Sequence, residues 1–359
     1  MWSWNLITML PAISQNPLVN SGLTWEKITL RLRNPFRLSY GTSEERQAFW
    51  LRLPGDAGWG EGTIPPYYGV EANTMEDYWR GLSRLTTPLP ETVDEIPAWM
   101  GNGGPAPARC AVDLALHDHL AKLAALPLHA YLGLPDPEPK PSSFTIALDT
   151  PERMGEIASE VGKYPIIKVK LGGDDWDLER LDAVRAARPD VRLWVDANAG
   201  WDLDSALQYL PALEDLRVEL LEQPLSKVDF SGMGQLQSKT SIAVVADESV
   251  QSLADVEALA AAGLGGVNIK LMKVGGLGPA LEMIRRARAL GLGVMLGCMI
   301  ETSLGTTAMA HLSGLADWLD LDASLLITND PFEGMRLDET CMVRMPERPG
   351  IGVRLVQKQ

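Results

Sequence analysis

The most regular feature of the chain is a short apolar run that recurs and ends each time on charge. The stretches are IIKVKLG, WVDANAG, LLEQPL, VVADESV and NIKLMKVGG, with the charged residues Lys170, Asp196, Glu222, Asp247 and Lys270 at their ends. Successive ends are 26, 26, 25 and 23 residues apart. A period of roughly 25 residues with one apolar strand per unit suits a βα repeat. Unbroken runs such as VRLWV and IAVVA suit parallel strands buried on both faces. LERLDAVRAAR, LADVEALAAAG and GPALEMIRRARALG carry helical periodicity between them. Eight barrel strands follow: SFTIAL, PIIKVKL, VRLWVDA, ELLEQP, AVVADE, GVNIKL, GVMLGCMI and DWLDLDA. Polar residues at the C-terminal ends of such strands occupy the catalytic face of a (β/α)8 barrel.

Upstream the pattern changes to alternation. ITLRLRNPF, AFWLRLPG and GWGEG predict an antiparallel meander with turns at Pro54–Gly55 and Gly58. FRLSYGTSEER, between the first two, reads as a long polar loop able to reach over something, and TIPPYYG as a stiff segment carrying Tyr67 and Tyr68. Helices follow, among them PARCAVDLALHDHLAKLAAL; its His117 and His119 read as surface or satisfied histidines, because no ligand cluster surrounds them. The Pro-rich LPDPEPKPSS marks a boundary. The expected organisation is an extension over 1–23, a capping domain over 24–138, a barrel over 139–329 and a segment over 330–359 that returns to the cap.

Composition narrows the classes. The 359 residues suffice for two domains, and a net charge of −15 argues against a nucleic-acid partner. The three cysteines are scattered and fit a reducing, cytoplasmic setting. Residues 1–25 hold no charge, which denies a signal peptide its basic region, and Pro11, Pro17 and neighbouring polar residues argue against a membrane span.

The chemistry lies at the strand ends. Three carboxylates brought to one mouth repel one another unless a cation neutralises them, and an oxygen-only ligand set favours Mg²⁺, with Mn²⁺ as the alternative. Lys170 and Lys270, on strands two and six, face each other across the barrel. Cations near Lys170 would push it toward the neutral amine and so toward a general base. A substrate carbon between the two lysines could lose a proton on one face and regain it on the other.

The motifs KVK at Lys168–Lys170, DAN at Asp196, EQP at Glu222, ADES at Asp247 and NIKLMKVGG at Lys270 resemble the muconate-lactonising subgroup of the enolase superfamily. The resemblance runs from about residue 24 onward. It implies an α/β fold, a modified (β/α)7β TIM-like barrel under an α+β capping domain. It implies Mg²⁺ on Asp196, Glu222 and Asp247, a metal-stabilised enolate, acid/base lysines at Lys170 and Lys270, and Lys168 at the substrate carboxylate. Asp320 and Asp322, two apart on the eighth strand, resemble the Asp-x-Asp motif with which dipeptide epimerases bind the substrate's α-ammonium. SFTIALDTPE and CMIETSLG resemble the same group, which makes Thr145, Met299 and Glu301 pocket neighbours. The small-molecule partner implied is a dipeptide, epimerised at its C-terminal residue, and a homo-oligomer is expected. Gly41 stands where epimerases for L-Ala-D/L-Glu carry an arginine. With Phe36, Tyr40, Tyr67 and Tyr68 in the cap, this points to neutral or hydrophobic dipeptides. The rival readings are N-acylamino acid racemase, o-succinylbenzoate synthase and a non-catalytic barrel that binds a metal–carboxylate complex.

Overall fold

The computed structural model describes residues 22–39, 41–65, 68–172 and 174–356. Eight parallel strands form one sheet in sequence order. They are β4 (Phe144–Ile146), β5 (Ile166–Lys170), β6 (Arg192–Asp196), β7 (Val218–Glu222), β8 (Ala243–Ala246), β9 (Gly266–Ile269), β10 (Gly293–Gly297) and β11 (Trp318–Asp320). All eight predicted strands are present. The sheet comes round on itself where Ser143 N–H donates to the Leu319 carbonyl at 3.0 Å. Every residue of β5 is buried, as expected of a parallel strand with helices outside and packed side chains inside. Ile166, Trp194, Leu220, Val245 and Met295 fill the barrel interior, and a larger apolar layer joins strands to helices.

The cap is an antiparallel sheet of β1 (Thr24–Leu38), β2 (Gly41–Arg52) and β3 (Trp59–Thr63), laid on the helix Ala106–Leu123. The sequence GWGEGT gives β3 a glycine at every second position because that face meets helix backbone. A Cβ on Gly58, Gly60 or Gly62 would come within 2.0, 1.8 or 2.6 Å of the carbonyl oxygens of Ala115, Ala111 and Pro107. Glu61, between them, reaches into the barrel loop after β10. Its carboxylate accepts from Thr302 N at 2.9 Å, Thr302 Oγ1 at 2.5 Å and Gly305 N at 3.0 Å. Asp118 on the cap helix accepts from Trp59 N and from Ile351 N, so it ties β3 and the C-terminal segment to one helix.

One element differs from the sequence reading. FRLSYGTSEER is mostly strand rather than loop: after a bulge between Arg31 and Phe36, β1 resumes pairing, with Phe36 opposite Ser43 and Leu38 opposite Gly41. Its polarity reflects a ribbon that extends past the core, with exposed residues on either side of the turn. The ribbon reaches the barrel mouth, where Ser39 Oγ donates to the Asn198 carbonyl at 2.8 Å. Tyr40, Tyr67 and the extension up to residue 21 lie outside the described residues. Among the described residues, no helix is long and apolar enough to cross a membrane.

Candidate active site

Strand register does most of the assembly. Lys170 pairs with Asp196, and Asp196 pairs with Glu222, across neighbouring parallel strands. Asp247 and Lys270 follow directly after β8 and β9. One oxygen from each of Asp196, Glu222 and Asp247 lies within 4.8 Å of the others, and all three residues are buried.

The chain offsets this buried negative charge with its own lysines. Lys168 Nζ sits 3.0 Å from Asp196, 2.6 Å from Glu222 and 2.8 Å from Asp320. Lys170 lies 2.6 Å from Asp196 Oδ2, and Lys270 lies 2.7 Å from Asp247 Oδ2. Burial would raise the Asp196 and Asp247 carboxyls, but lysines on each hold them well below the usual carboxylate range. Burial, then repulsion from Asp196, pushes Glu222 up to about 8. Its Oε2 accepts no hydrogen bond despite the close Lys168. A buried triad of hard oxygens, one of them met by Lys168 through an ion pair alone, fits a divalent cation of the Mg²⁺ kind.

Two of the lysines are shifted by the acids around them. Burial works to lower Lys270, but Asp247 and Glu222 override it and hold the ammonium form well above the ordinary lysine value. Lys168 behaves the same way under Asp196, Asp320 and Glu222. A positive charge on the triad would weaken that hold on Lys168 and Lys270.

A cavity opens over this cluster. Lys170, Lys270, Asp247, Asp320, Asp322 and Met299 are on its wall, with Phe36 closing it from the cap. Lys168, Asp196 and Glu222 lie beneath the wall, fully buried. Asp320 accepts from Ser143 Oγ at 2.6 Å and is paired to Lys168, which overrides burial and lowers it. Asp322 accepts the Thr145 N–H at 2.7 Å; burial, then Asp320, raise it to about 6. Thr145 therefore orients both acids, Asp322 through its backbone N–H and Asp320 through Oγ1 at 3.4 Å. Glu301 is placed apart from the other pocket residues. It is buried beside Glu61 at the cap seam, with Oε2 lacking a hydrogen-bond partner, and burial followed by Glu61 drives its carboxyl far upward. His117 is satisfied: Nδ1 lies 2.8 Å from the Asp113 carbonyl and 3.2 Å from Asp113 Oδ1.

The structure adds residues that the sequence reading passed over. Lys273 is buried behind Asp247, 2.5 Å from Oδ1, and also donates to the carbonyls of Asp247 and Asn268. Asn268 Nδ2 donates to Glu222 Oε1 at 2.9 Å. Gln223 Oε1 accepts from Asp247 N and Ser249 N. Asn198 and Glu248 bond to each other on the cavity wall. The signal for Lys273 was its place three residues after Lys270, about one helical turn. Nothing local marks Asn268 or Gln223 as orienters of the acids.

The fold and site together define an isomerase of the enolase superfamily. The enolase C-terminal domain-like family matches residues 151–359, and the chain belongs to that family. The chain is 35% identical to the L-Ala-D/L-Glu epimerase of Bacteroides thetaiotaomicron, over 92% of this chain and 87% of the relative. It is 34% identical to the L-Ala-D/L-amino acid epimerase of a Maribacter species, over 93% of this chain and 99% of the relative. A crystal structure of the dipeptide epimerase of Enterococcus faecalis V583, complexed with Mg and L-Leu-L-Tyr, superposes with a TM-score of 0.86 at 29% identity, covering 93% of this chain and 99% of that one.

Proposed function

We propose that this chain epimerises dipeptides at the α-carbon of the C-terminal residue by two-base proton transfer. The observation that carries the reading is the coexistence, on one cavity wall, of lysines from the second and sixth barrel strands with the Asp320–Asp322 pair. One lysine removes the α-proton on its face, and the other returns a proton on the opposite face. Lys168, at the base of the cluster, contributes positive charge toward the substrate carboxylate. Asp320 and Asp322 receive the α-ammonium, and Asp322 has the more available oxygens because Asp320 already binds Lys168 and Ser143. Mg²⁺ on Asp196, Glu222 and Asp247 would supply the positive charge that lowers the cost of the enolate. The dipeptide relatives support this reading over N-acylamino acid racemisation or o-succinylbenzoate synthesis.

The side chain of the C-terminal residue is expected to be neutral or hydrophobic. Phe36, Leu38, Pro65, Ile300 and Leu326 line the cap side of the cavity. Gly41 places no side chain there, and nothing lies within 4 Å of where its Cβ would be. Arg46 reaches the wall, but its guanidinium is engaged by Ser43 Oγ at 3.1 Å and the Ile64 carbonyl at 3.4 Å. Screening L,L-dipeptides in D₂O by mass spectrometry tests both parts. Solvent deuterium should appear in the C-terminal residue, with kcat/KM for L-Ala-L-Leu above that for L-Ala-L-Glu. A preference for L-Ala-L-Glu would refute the side-chain assignment, and no exchange from any dipeptide would refute the epimerase reading.

A further inference from the structure

A second cleft adjoins the first cavity, and Phe36 and Leu326 belong to the walls of both. It lies between the bulged part of β1 and the exit of β4, where its Phe144 and Ile146 flank Thr145, whose N–H binds Asp322. Its floor is apolar: Phe144, Ile146, Leu148, Ile157, Leu325 and Leu326. Its rim carries three guanidiniums, Arg33, Arg37 and Arg153, and one carboxylate, Asp149.

These arginines are not equivalent. Arg153 is held by Glu156 at 2.7 Å and Glu160 at 3.4 Å. Arg37 is paired to Asp149 at 3.1 Å, and its carbonyl accepts from Leu148 N, which fixes this part of β1 to the barrel. Arg33 is anchored through Nε alone, which donates to the Leu325 carbonyl at 2.8 Å. Among the described residues, its two terminal nitrogens have no hydrogen-bond or ion-pair partner. An arginine fixed at one nitrogen with two N–H-bearing nitrogens unspent, above an apolar floor, is pre-organised for a carboxylate on a short methylene stem. Among the described residues, Arg33 is the one rim guanidinium without a carboxylate partner.

We propose that this cleft is the subsite for the side chain of the substrate's N-terminal residue, and that it selects an acidic one, with Arg33 as the specificity-determining residue. The inference rests on the dipeptide epimerase reading, because the α-ammonium on Asp320 and Asp322 is what places the N-terminal residue beside Phe36 and Leu326. The floor receives the methylenes, and Arg33 pairs with the side-chain carboxylate while Arg37 stays on Asp149.

The test compares kcat/KM of the Mg²⁺-loaded enzyme for L-Glu-L-Leu, L-Ala-L-Leu and L-Lys-L-Leu. Glutamate should exceed lysine by at least about tenfold, since one pairs with the rim and the other is repelled by it. Arg33→Met should lower the L-Glu-L-Leu to L-Ala-L-Leu ratio by about tenfold, and Arg33→Glu should reverse the order of the glutamate and lysine substrates. Expressing the result as a ratio of substrates removes any general loss from a disturbed β1. Lysine equal to or better than glutamate in the wild type, or an unchanged ratio in Arg33→Met, would overturn the subsite. A preference for L-Leu-L-Leu over all three would show that the floor acts alone, and would overturn the acidic assignment. If no dipeptide at all were epimerised, the reading beneath it would fail first.

Discussion

At the residue scale the site is a balance of buried charges, and its parts differ in how plainly the sequence shows them. Lys170, Asp196, Glu222, Asp247 and Lys270 were legible because a parallel strand buried on both faces leaves its polar C-terminal end as a sharp break in an apolar run. Lys273, Asn268 and Gln223 were not, because what they do depends on partners supplied by other strands. The Asp320–Asp322 pair carries the sharpest consequence. An α-ammonium there makes charge-assisted hydrogen bonds worth about 1.5–3 kcal/mol each. An N-acetyl dipeptide brings no cation to Asp322 and buries it without one, so kcat/KM should fall by about two decades or more relative to the free dipeptide. Replacing both acids with asparagine should narrow that gap, chiefly by harming the free substrate. Equal turnover of free and N-acetyl forms by the wild type would favour an N-acylamino acid racemase instead.

At the element scale the eight strands and their helices follow from periodicity, while the cap was read less completely. The ribbon around residue 40 has polar residues on both sides of its turn, so alternation gave no buried face to mark it as strand. In the sequence Gly58 reads as a turn, and Gly60 and Gly62 read only as part of a strand. Their cause is the helix Ala106–Leu123, whose backbone approaches too closely for any side chain, and a single strand does not reveal what will lie on it. Gly60→Ala tests this directly, since its Cβ would fall 1.8 Å from the Ala111 carbonyl oxygen. Strand and helix must separate to admit it, so urea unfolding should show a loss of about 1–3 kcal/mol, the usual range for overpacking. Gly81→Ala, at an exposed helix position with open space around it, should be neutral or stabilising, because alanine is the better helix former. Equal midpoints for the two variants would contradict the close contact.

At the scale of the whole molecule, the cap and barrel are held in one arrangement by buried polar ties, Glu61 to the β10 loop and Ser39 to the β6 loop. The apolar wall of the cap thereby faces the acids of the barrel. A cation that binds only the folded site stabilises the fold by mass action. Mg²⁺ should raise Tm, and EDTA should remove both that increment and turnover. Asp247→Asn should lose most of the Mg²⁺-dependent increment while remaining folded, because the site lies at the strand ends, outside the apolar core. Full activity in EDTA would remove the metal from the account.

The central claim is that two lysines act on opposite faces of one carbon. It is tested most directly by α-proton exchange in D₂O with Lys170→Ala and Lys270→Ala, followed by NMR on the separate L,L and L,D epimers of a dipeptide that the wild type turns over. Neither variant should epimerise. Each should exchange deuterium into only one epimer, and the epimer should differ between the two variants. Exchange of the same epimer by both, or epimerisation by either, would contradict the two-face mechanism.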